Sequence, residues 1–563
     1  MQVLSQLPGP ASFWKHFNFL LETPRESRKC TQISQLIAQK GRDWGYETIV
    51  DPHGNVLIRK PASAGFEGRP WVCIQRSLSR FFFISRFHSL LQTNVLFFDM
   101  RSHMDMVCEK EATSNHDFAK DPIVPRIVDD KLMATGTTLG ADNGVGVALG
   151  LMVLEDRTLR HGPLEVLFTV DEEIGLVGAM QMPAGMLRSR RLINIDSEED
   201  WRICIGCAGG FDATMTMPLA TCPEGRMPFE VLVSLSGLQG GHSGCEIHKG
   251  QANAIQLLGR ILLHTLDGTT LGYRPMGPAT PAHPAAAFQL LGLCGGTKRN
   301  AIPVACTARL ALPADPAARE AVLVALRASY EAVAAEFASL EPTMHLRVAH
   351  MGAAPDAAFA LLVAPRKGAA NMAPISPVAA LPAPLSAEAA LRYLRAMAVV
   401  PHGVLRMSPD VAGLVETSIN WAKASLPAAG SPHETAAQFE FLARSSCNSQ
   451  QGLVYDQLAA LSNLLGARLS EPINWHNGWL PNPQSALLTT AKRIYAEVTH
   501  KEYEVYAIHA GLECGVIGEK YEGMDSISVG PTVKDVHTPK EALYYRSLPG
   551  FCTYLLRLLE ELQ

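Results

Sequence analysis

Leu164-Glu165-Val166-Leu167-Phe168-Thr169-Val170 runs directly into Asp171-Glu172-Glu173, and this junction decides the fold. A short apolar run rich in β-branched and aromatic residues predicts a strand. Its polar end places carboxylates at the strand's C-terminal tip. A second run repeats the design: Leu192-Ile193-Asn194-Ile195 ends in Asp196-Ser197-Glu198-Glu199. Open α/β sheets build their sites at that edge. The pair therefore predicts an α/β domain with an acidic site at one end of its sheet.

Working outward, the preceding strand-end candidate is His103-Met104-Asp105, in RSHMDMVCEK. Side chains alternate along an extended segment, so His103 and Asp105 share a side. There the carboxylate can accept from the imidazole, fix its tautomer and raise its basicity toward a metal. Between these strands lies Thr137-Thr138-Leu139-Gly140-Ala141-Asp142-Asn143-Gly144-Val145-Gly146. Its glycines allow tight backbone around Asp142, and Val145 to Leu154 reads as a helix behind it. The lysine of a phosphate-binding loop is missing. Further upstream, Ser34 to Gly45 reads as a helix, and Glu47–Val50 with Asn55–Arg59 as a hairpin across Asp51-Pro52-His53-Gly54.

Near residue 210 the texture changes. Phe229 to Leu235 alternates as an antiparallel strand and is followed by Gly240-Gly241-His242-Ser243-Gly244. From about 250 to 470, amphipathic helices mix with Ala/Pro-rich stretches at Met276–Ala287, Gly352–Ala390 and Ala422–Ala437, which read as surface loops. The last ninety residues return to α/β character, with strands at Tyr503–Ile508 and Ser526–Val529, then His537-Thr538-Pro539 and a closing helix over Leu548–Leu562.

With 563 residues, 47% hydrophobic and 18% charged, the chain can build two or more cores. A formal net charge of −5 without long single-sign blocks argues against a nucleic-acid binder. No secretory signal is expected from MQVLSQLPGPASFWKHF. Twelve cysteines, scattered apart from Cys204-Ile205-Gly206-Cys207, predict reduced thiols and a cytoplasmic setting.

Residues 76–102 break the pattern. Phe81, Phe82, Phe83, Phe87, Phe97 and Phe98 crowd beside Arg76, Arg80, Arg86 and Arg101. Arg86, His88, Gln92 and Asn94 interrupt any membrane span, so no membrane association is expected. Removing the segment joins the buried strand Trp71–Gln75 to His103-Met104-Asp105 in register. It reads as an anomalous insertion, a translated intron or another gene-model error.

His103, Asp105, Asp142, Glu172, Glu173, Asp196 and His537 form a set suited to Zn²⁺, with Mn²⁺ or Co²⁺ also possible. Carboxylates gathered at one edge repel unless cations lie among them. Two metals about 3.5–4 Å apart, bridged by one carboxylate, would relieve this and activate water. A neighbouring Glu outside the ligand set could carry the proton to a leaving amine.

The motifs HMDMV, GTTLGADNGVG, TVDEEIG, INIDSEE, GCAGG, GLQGGHSG, NAIP, HAGLECG and GPTVKDVHTP together resemble the aminoacyl-histidine dipeptidases. Those enzymes belong to the dinuclear zinc peptidases that include carnosinase and peptidase T. The resemblance spans nearly the whole chain. It implies two Zn²⁺ per subunit: His103 and Asp196 on one, Glu173 and His537 on the other, Asp142 between them. It further implies Glu172 as general base and acid and Asp105 as support for His103. His242 becomes the lid histidine that donates to the oxyanion, often from a partner subunit, which implies a homodimer. Asn300 and Arg444 become candidates for holding the substrate backbone and carboxylate.

The implied architecture is a catalytic domain (mixed sheet flanked by helices) of 1–209 and 473–563, with an inserted α+β lid of 210–472 that also carries dimerisation. The expected reaction is hydrolysis of Xaa-His and other unblocked dipeptides. Two alternatives stay open: a related metal amidohydrolase acting on another dipeptide or an N-acyl amino acid, and a non-catalytic relative disabled by the 76–102 segment.

Overall fold

The computed structural model describes residues 3–67, 98–222, 225–267, 288–351, 375, 377–427 and 435–562. Its first sheet has eight strands in the order Glu47–Val50, Val56–Lys60, Leu164–Thr169, Phe98–His103, Arg191–Asn194, Asp525–Ser528, Arg202–Cys207, Glu504–Ile508. The four central strands, Leu164–Thr169, Phe98–His103, Arg191–Asn194 and Asp525–Ser528, run parallel to their neighbours in that group. Antiparallel pairs at the Glu47 side make the sheet mixed. All four parallel strands therefore end at one edge, where His103, Asp171-Glu172-Glu173 and Asp196 follow directly.

Behind this edge lies the helix Ala141–Glu155, buried along almost its full length. It packs between the helix Ala11–Leu21 and the strand Phe98–His103. One core draws on residues from Leu4 to Cys207 and from Trp479 to Leu562. A separate core draws on residues from Phe211 to Leu458.

That second core lies on a ten-stranded sheet made of antiparallel pairs, with Val415–Leu426, Ala436–Ser445 and Gly209–Pro218 at its middle. Three helices, Ala254–Asp267, Pro316–Glu336 and Ala387–Val399, pack on one another beside it. The last two start where sequence chemistry dictates: Asp315 and Ser386 each accept a hydrogen bond from a backbone N–H in the first turn. A short pair, Gly241–His242 with Ala301–Ile302, sets His242 opposite Ala301.

Two expectations require correction. Residues 98–102 are not part of an insertion beside the site. They form the strand that delivers His103, pairing with Leu164–Thr169 on one side and Arg191–Asn194 on the other. The hydrophobic content of Val95 to Met100 suits a strand, and the aromatic, basic residues upstream hid that signal. Trp71–Gln75, which had been assigned that place, and the rest of 76–97 lie outside the described residues. The Ala-rich stretch Ala422–Ala437 is likewise not simply a loop. Ala422–Leu426 completes one strand of the second sheet and Ala436 starts the next, both buried. Small side chains there fit a covered sheet face, where packing overrides alanine's weak strand preference.

Among the described residues, no helix is long and apolar enough to cross a membrane.

Candidate metal centre and active site

The first ligand candidate is the last residue of its strand. His103 is fully enclosed, and Met104 N donates to Thr169 O at 2.7 Å, pinning the strand end to its neighbour. The ring's Nδ1 faces Asp105, 3.2 Å from its carbonyl oxygen and 3.4 Å from Oδ1. That contact leaves Nε2 to point at Asp142 and Asp196.

Asp105 does more than orient His103. Its Oδ1 accepts from Glu172 N at 3.1 Å, and its Oδ2 accepts from Glu173 N at 3.3 Å and from Ser27 Oγ at 2.8 Å. One buried carboxylate thus ties the His103 strand end to the Glu172–Glu173 turn. The hydrogen bonds from His103 and Ser27 outweigh burial and hold its carboxyl below the usual range.

Asp142 stands at the centre. Its Oδ1 lies 3.2 Å from His103 Nε2, and its Oδ2 lies 3.1 Å from His537 Nε2. Asp196 Oδ1 joins the first imidazole at 3.6 Å, and Glu173 Oε2 joins the second at 3.0 Å. Two sets result, His103–Asp142–Asp196 and His537–Asp142–Glu173, sharing only Asp142. Ligand atoms of His103, Asp142 and Glu173 also lie within 4.8 Å of one another.

These spacings test whether a cation fits. Zinc bonds of about 2.0–2.1 Å in a tetrahedron put neighbouring ligand atoms about 3.3 Å apart. The four contacts around Asp142 span 3.0 to 3.6 Å. Glu173 Oε1 is buried with no hydrogen-bond partner, an acceptor still lacking a donor or a cation. The imidazole and carboxylate donors have the right chemistry for Zn²⁺ and for its harder neighbours. The residues fit a pair of divalent cations.

Charge in the cluster points the same way. Burial pushes the Asp196 carboxyl up to about 7, with Asp142, Glu513 and Glu173 repelling it against the pull of His103. Burial also pushes Glu172 well up, Asp196, Glu513 and Glu173 adding to the effect while His103 opposes it. Hydrogen bonds donated to Asp142 and Glu173 raise His537 to about 11. The Asp142 carboxyl falls well below its ordinary value because both imidazoles outweigh its burial. Acids held this close favour a proton or a cation among them.

The remaining candidates lie on segments that pack with the second sheet. His242 Nδ1 accepts from the backbone N–H groups of Gly244 and Cys245, at 3.2 and 3.1 Å. Its proton therefore sits on Nε2, and burial, helped by Arg444, lowers the imidazole to about 4 and keeps it neutral. Asn300 is exposed, and its carbonyl accepts from Ser243 N at 2.9 Å, so the RNAIP and GGHSG segments are joined. Arg444 is 9% exposed. Its Nε has no hydrogen-bond partner, and no carboxylate pairs with it among the described residues. A Cβ on Gly244 would sit 3.1 Å from that Nε and 3.2 Å from the His242 ring, so Arg444 and His242 are neighbours.

Sequence reasoning missed several residues that hold these groups. Asn143 Nδ2 donates to Asp196 Oδ1 at 2.7 Å and to Ile195 O at 2.6 Å, fixing that ligand. Ser418 of the lid and His509 of the sheet edge meet at 2.7 Å, both buried. Arg25 and Glu541 grip the backbone around Asp142 from opposite ends of the chain. Only Asn143 carried a local signal, through its place in the GADNG turn. Cys204 and Cys207, the lone C-x-x-C, are buried in their strand and pack there.

A model of peptidase family M20/M25/M40 matches residues 100–561. The chain is 34% identical over 565 residues to the cytosol non-specific dipeptidase of Escherichia coli, an alignment covering 100% of this chain and 99% of that protein. It is similar in structure to the aminoacylhistidine dipeptidase of Vibrio alginolyticus, with a TM-score of 0.76 and 31% identity, covering 99% of this chain and 97% of that one.

Proposed function

The chain belongs to peptidase family M20/M25/M40 and is a metal-dependent dipeptidase, and from that premise we propose how its residues divide the work and what they cleave. The substrates are unblocked dipeptides, those of the Xaa-His type such as β-Ala-His among them. The names of the E. coli and Vibrio relatives support this range. The observation that carries the reading is the placement of Asp142, with each carboxylate oxygen 3.1–3.2 Å from a different imidazole.

In this reading His103 and Asp196 hold one divalent cation, His537 and Glu173 a second, and Asp142 both. Zinc is the proposed metal, with Mn²⁺ or Co²⁺ as substitutes. When bound, such a pair acidifies water and polarises a carbonyl. The protein's own groups do the rest. Glu172, held by its backbone N–H on Asp105, takes the proton from the attacking water and returns it to the leaving amine. Its raised affinity for a proton suits that transfer. Asp105 keeps His103 in one tautomer, with Nε2 free to bind.

The lid, 210–472, supplies recognition. Arg444, buried with its Nε unbonded and no carboxylate paired to it among the described residues, receives the substrate's terminal carboxylate through its planar fork. His242 donates from Nε2 to the oxyanion as the carbonyl becomes tetrahedral. Asn300 steadies the substrate backbone beside it. The proposed assembly is a homodimer. A cytoplasmic setting is supported by the name of the E. coli relative.

The test is direct. Purified protein is stripped with chelator, reloaded with Zn²⁺, Mn²⁺ or Co²⁺, and assayed on β-Ala-His and Gly-His for free histidine. Metal-dependent release is expected. No release under any loading defeats the proposal.

A further inference from the structure

His103 ends its strand and Asp142 opens the helix Ala141–Glu155, and their side chains meet at 3.2 Å. Arg25 joins the loops beside them a second time, through backbone. It follows the helix Ala11–Leu21, is 2% exposed, and lies under both loops. Its Nη1 donates to the carbonyls of Met104 and Asp105, at 3.2 and 3.1 Å, while Nη2 donates to the carbonyl of Gly140. Its own carbonyl accepts from Met106 N at 3.1 Å. One planar guanidinium therefore spans the His103 turn and the Asp142 turn, a geometry that a single ammonium point cannot reproduce.

Glu541 grips the Asp142 turn on its amide side. It is also 2% exposed. Its Oε2 accepts from Leu139 N and Gly140 N, at 2.8 and 2.9 Å, and its Oε1 accepts from Asp142 N at 3.0 Å. The Gly140 residue is held by its carbonyl from Arg25 and by its amide from Glu541. This also explains two glycines of the motif. A Cβ on Gly140, where φ is +68°, would clash with Arg25 Nη2, and one on Gly144 would lie 2.8 Å from the same atom. Both glycines make room for the guanidinium.

We propose that Arg25 and Glu541 are positioning residues that set the separation between the His103 and Asp142 loops, and through it the affinity for the paired divalent cations. This rests on the metal reading above. Neither residue reaches substrate. Partners that orient metal ligands change affinity by about 10–100-fold when removed, and effects of that size are expected here.

The experiment measures Co²⁺ and Zn²⁺ affinity of the full chain by chelator competition, together with the Co²⁺ absorption spectrum and the melting temperature. The variants are Arg25→Ala, Arg25→Lys and Glu541→Gln. Arg59→Ala is the control, since Arg59 is another buried arginine, bonded to Glu165 and Glu47 on the far side of the strand Leu164–Thr169 from its site end. The expected result is affinity weakened about 10–100-fold and an altered spectrum in the first three variants. Added guanidinium, but not ammonium, restores affinity to Arg25→Ala. KM at saturating metal stays unchanged while kcat falls. Arg59→Ala loses stability and keeps its affinity. Unchanged affinity in Arg25→Ala, or an equal loss in Arg59→Ala, overturns the proposal. Failure of the parent protein to bind either cation would instead defeat the metal reading.

Discussion

Replacing Arg444 with methionine should make the protein more stable and a poorer enzyme at once. The guanidinium is 9% exposed, has no carboxylate partner among the described residues, and keeps an unbonded Nε. Burial lowers its proton affinity, the mark of a charge held where water is scarce. Exchanging a buried ionic group for an apolar one of similar size is often stabilising by about 1–4 kcal/mol. Taking about 2 kcal/mol, and an unfolding entropy of about 2.1 cal/mol/K per residue, the midpoint rises by about 2 °C if the whole chain melts as a unit. Substrate binding moves the other way. Losing a buried charge partner costs about 2–5 kcal/mol, or roughly 30- to 4,000-fold in kcat/KM. The loss should appear with Gly-His and vanish with its C-terminal amide, which offers no carboxylate. Calorimetry and steady-state kinetics on both substrates check the two arms. Equal relative losses on the free acid and the amide would refute the assignment of Arg444 to the carboxylate. A lower melting point would refute the claim that its charge is uncompensated.

Three further outcomes follow from the same structure. Glu172→Gln should lower kcat by about 10²–10⁴-fold, the usual contribution of a general base, while cation affinity measured by chelator competition stays near that of the parent. His161 is 2% exposed, and burial depresses it to about 4. An unfolded chain takes up that proton near 6.5, so between pH 6.5 and 4 the unfolded state binds more protons and stability falls as pH falls; the contribution is at most about 3 kcal/mol. Urea unfolding at pH 7, 5 and 4 should show this slope, reduced in His161→Gln. Gly140→Ala forces a Cβ against Arg25 at a left-handed backbone position, costing about 1–3 kcal/mol from the backbone alone; retention of full thermal stability would contradict it.

What the sequence made legible follows from where each signal lies. Glu172, Glu173 and Asp196 were readable because an apolar run stops abruptly in acid, a pattern contained within ten residues. His103 and Asp105 were readable for the same reason. Arg25 and Glu541 were not, because their partners are backbone groups far away along the chain, and backbone leaves no trace in residue type. The strand Phe98–His103 was misread because Trp71–Gln75 offered a cleaner apolar run, and the choice between two candidate strands is settled by sheet register rather than local composition. The antiparallel pair that joins His242 to Ala301 is likewise a long-range contact. Its two motifs were each visible, but their adjacency was not.

The grip on Gly140 from Arg25 and Glu541 also has a temporal side. During synthesis Arg25 leaves the ribosome 516 residues before Glu541, with the candidate ligand His537 just ahead of Glu541. At about 5–20 residues per second, the interval between the two grips is roughly half a minute to two minutes. From Asp196 onward the nascent chain carries His103, Asp142, Glu173 and Asp196 without the segment that brings His537 to them. On the proposed assignment, hydrolytic competence is therefore withheld until His537 and Glu541 have been made, and a message cut short before them yields most of the first sheet without the second imidazole.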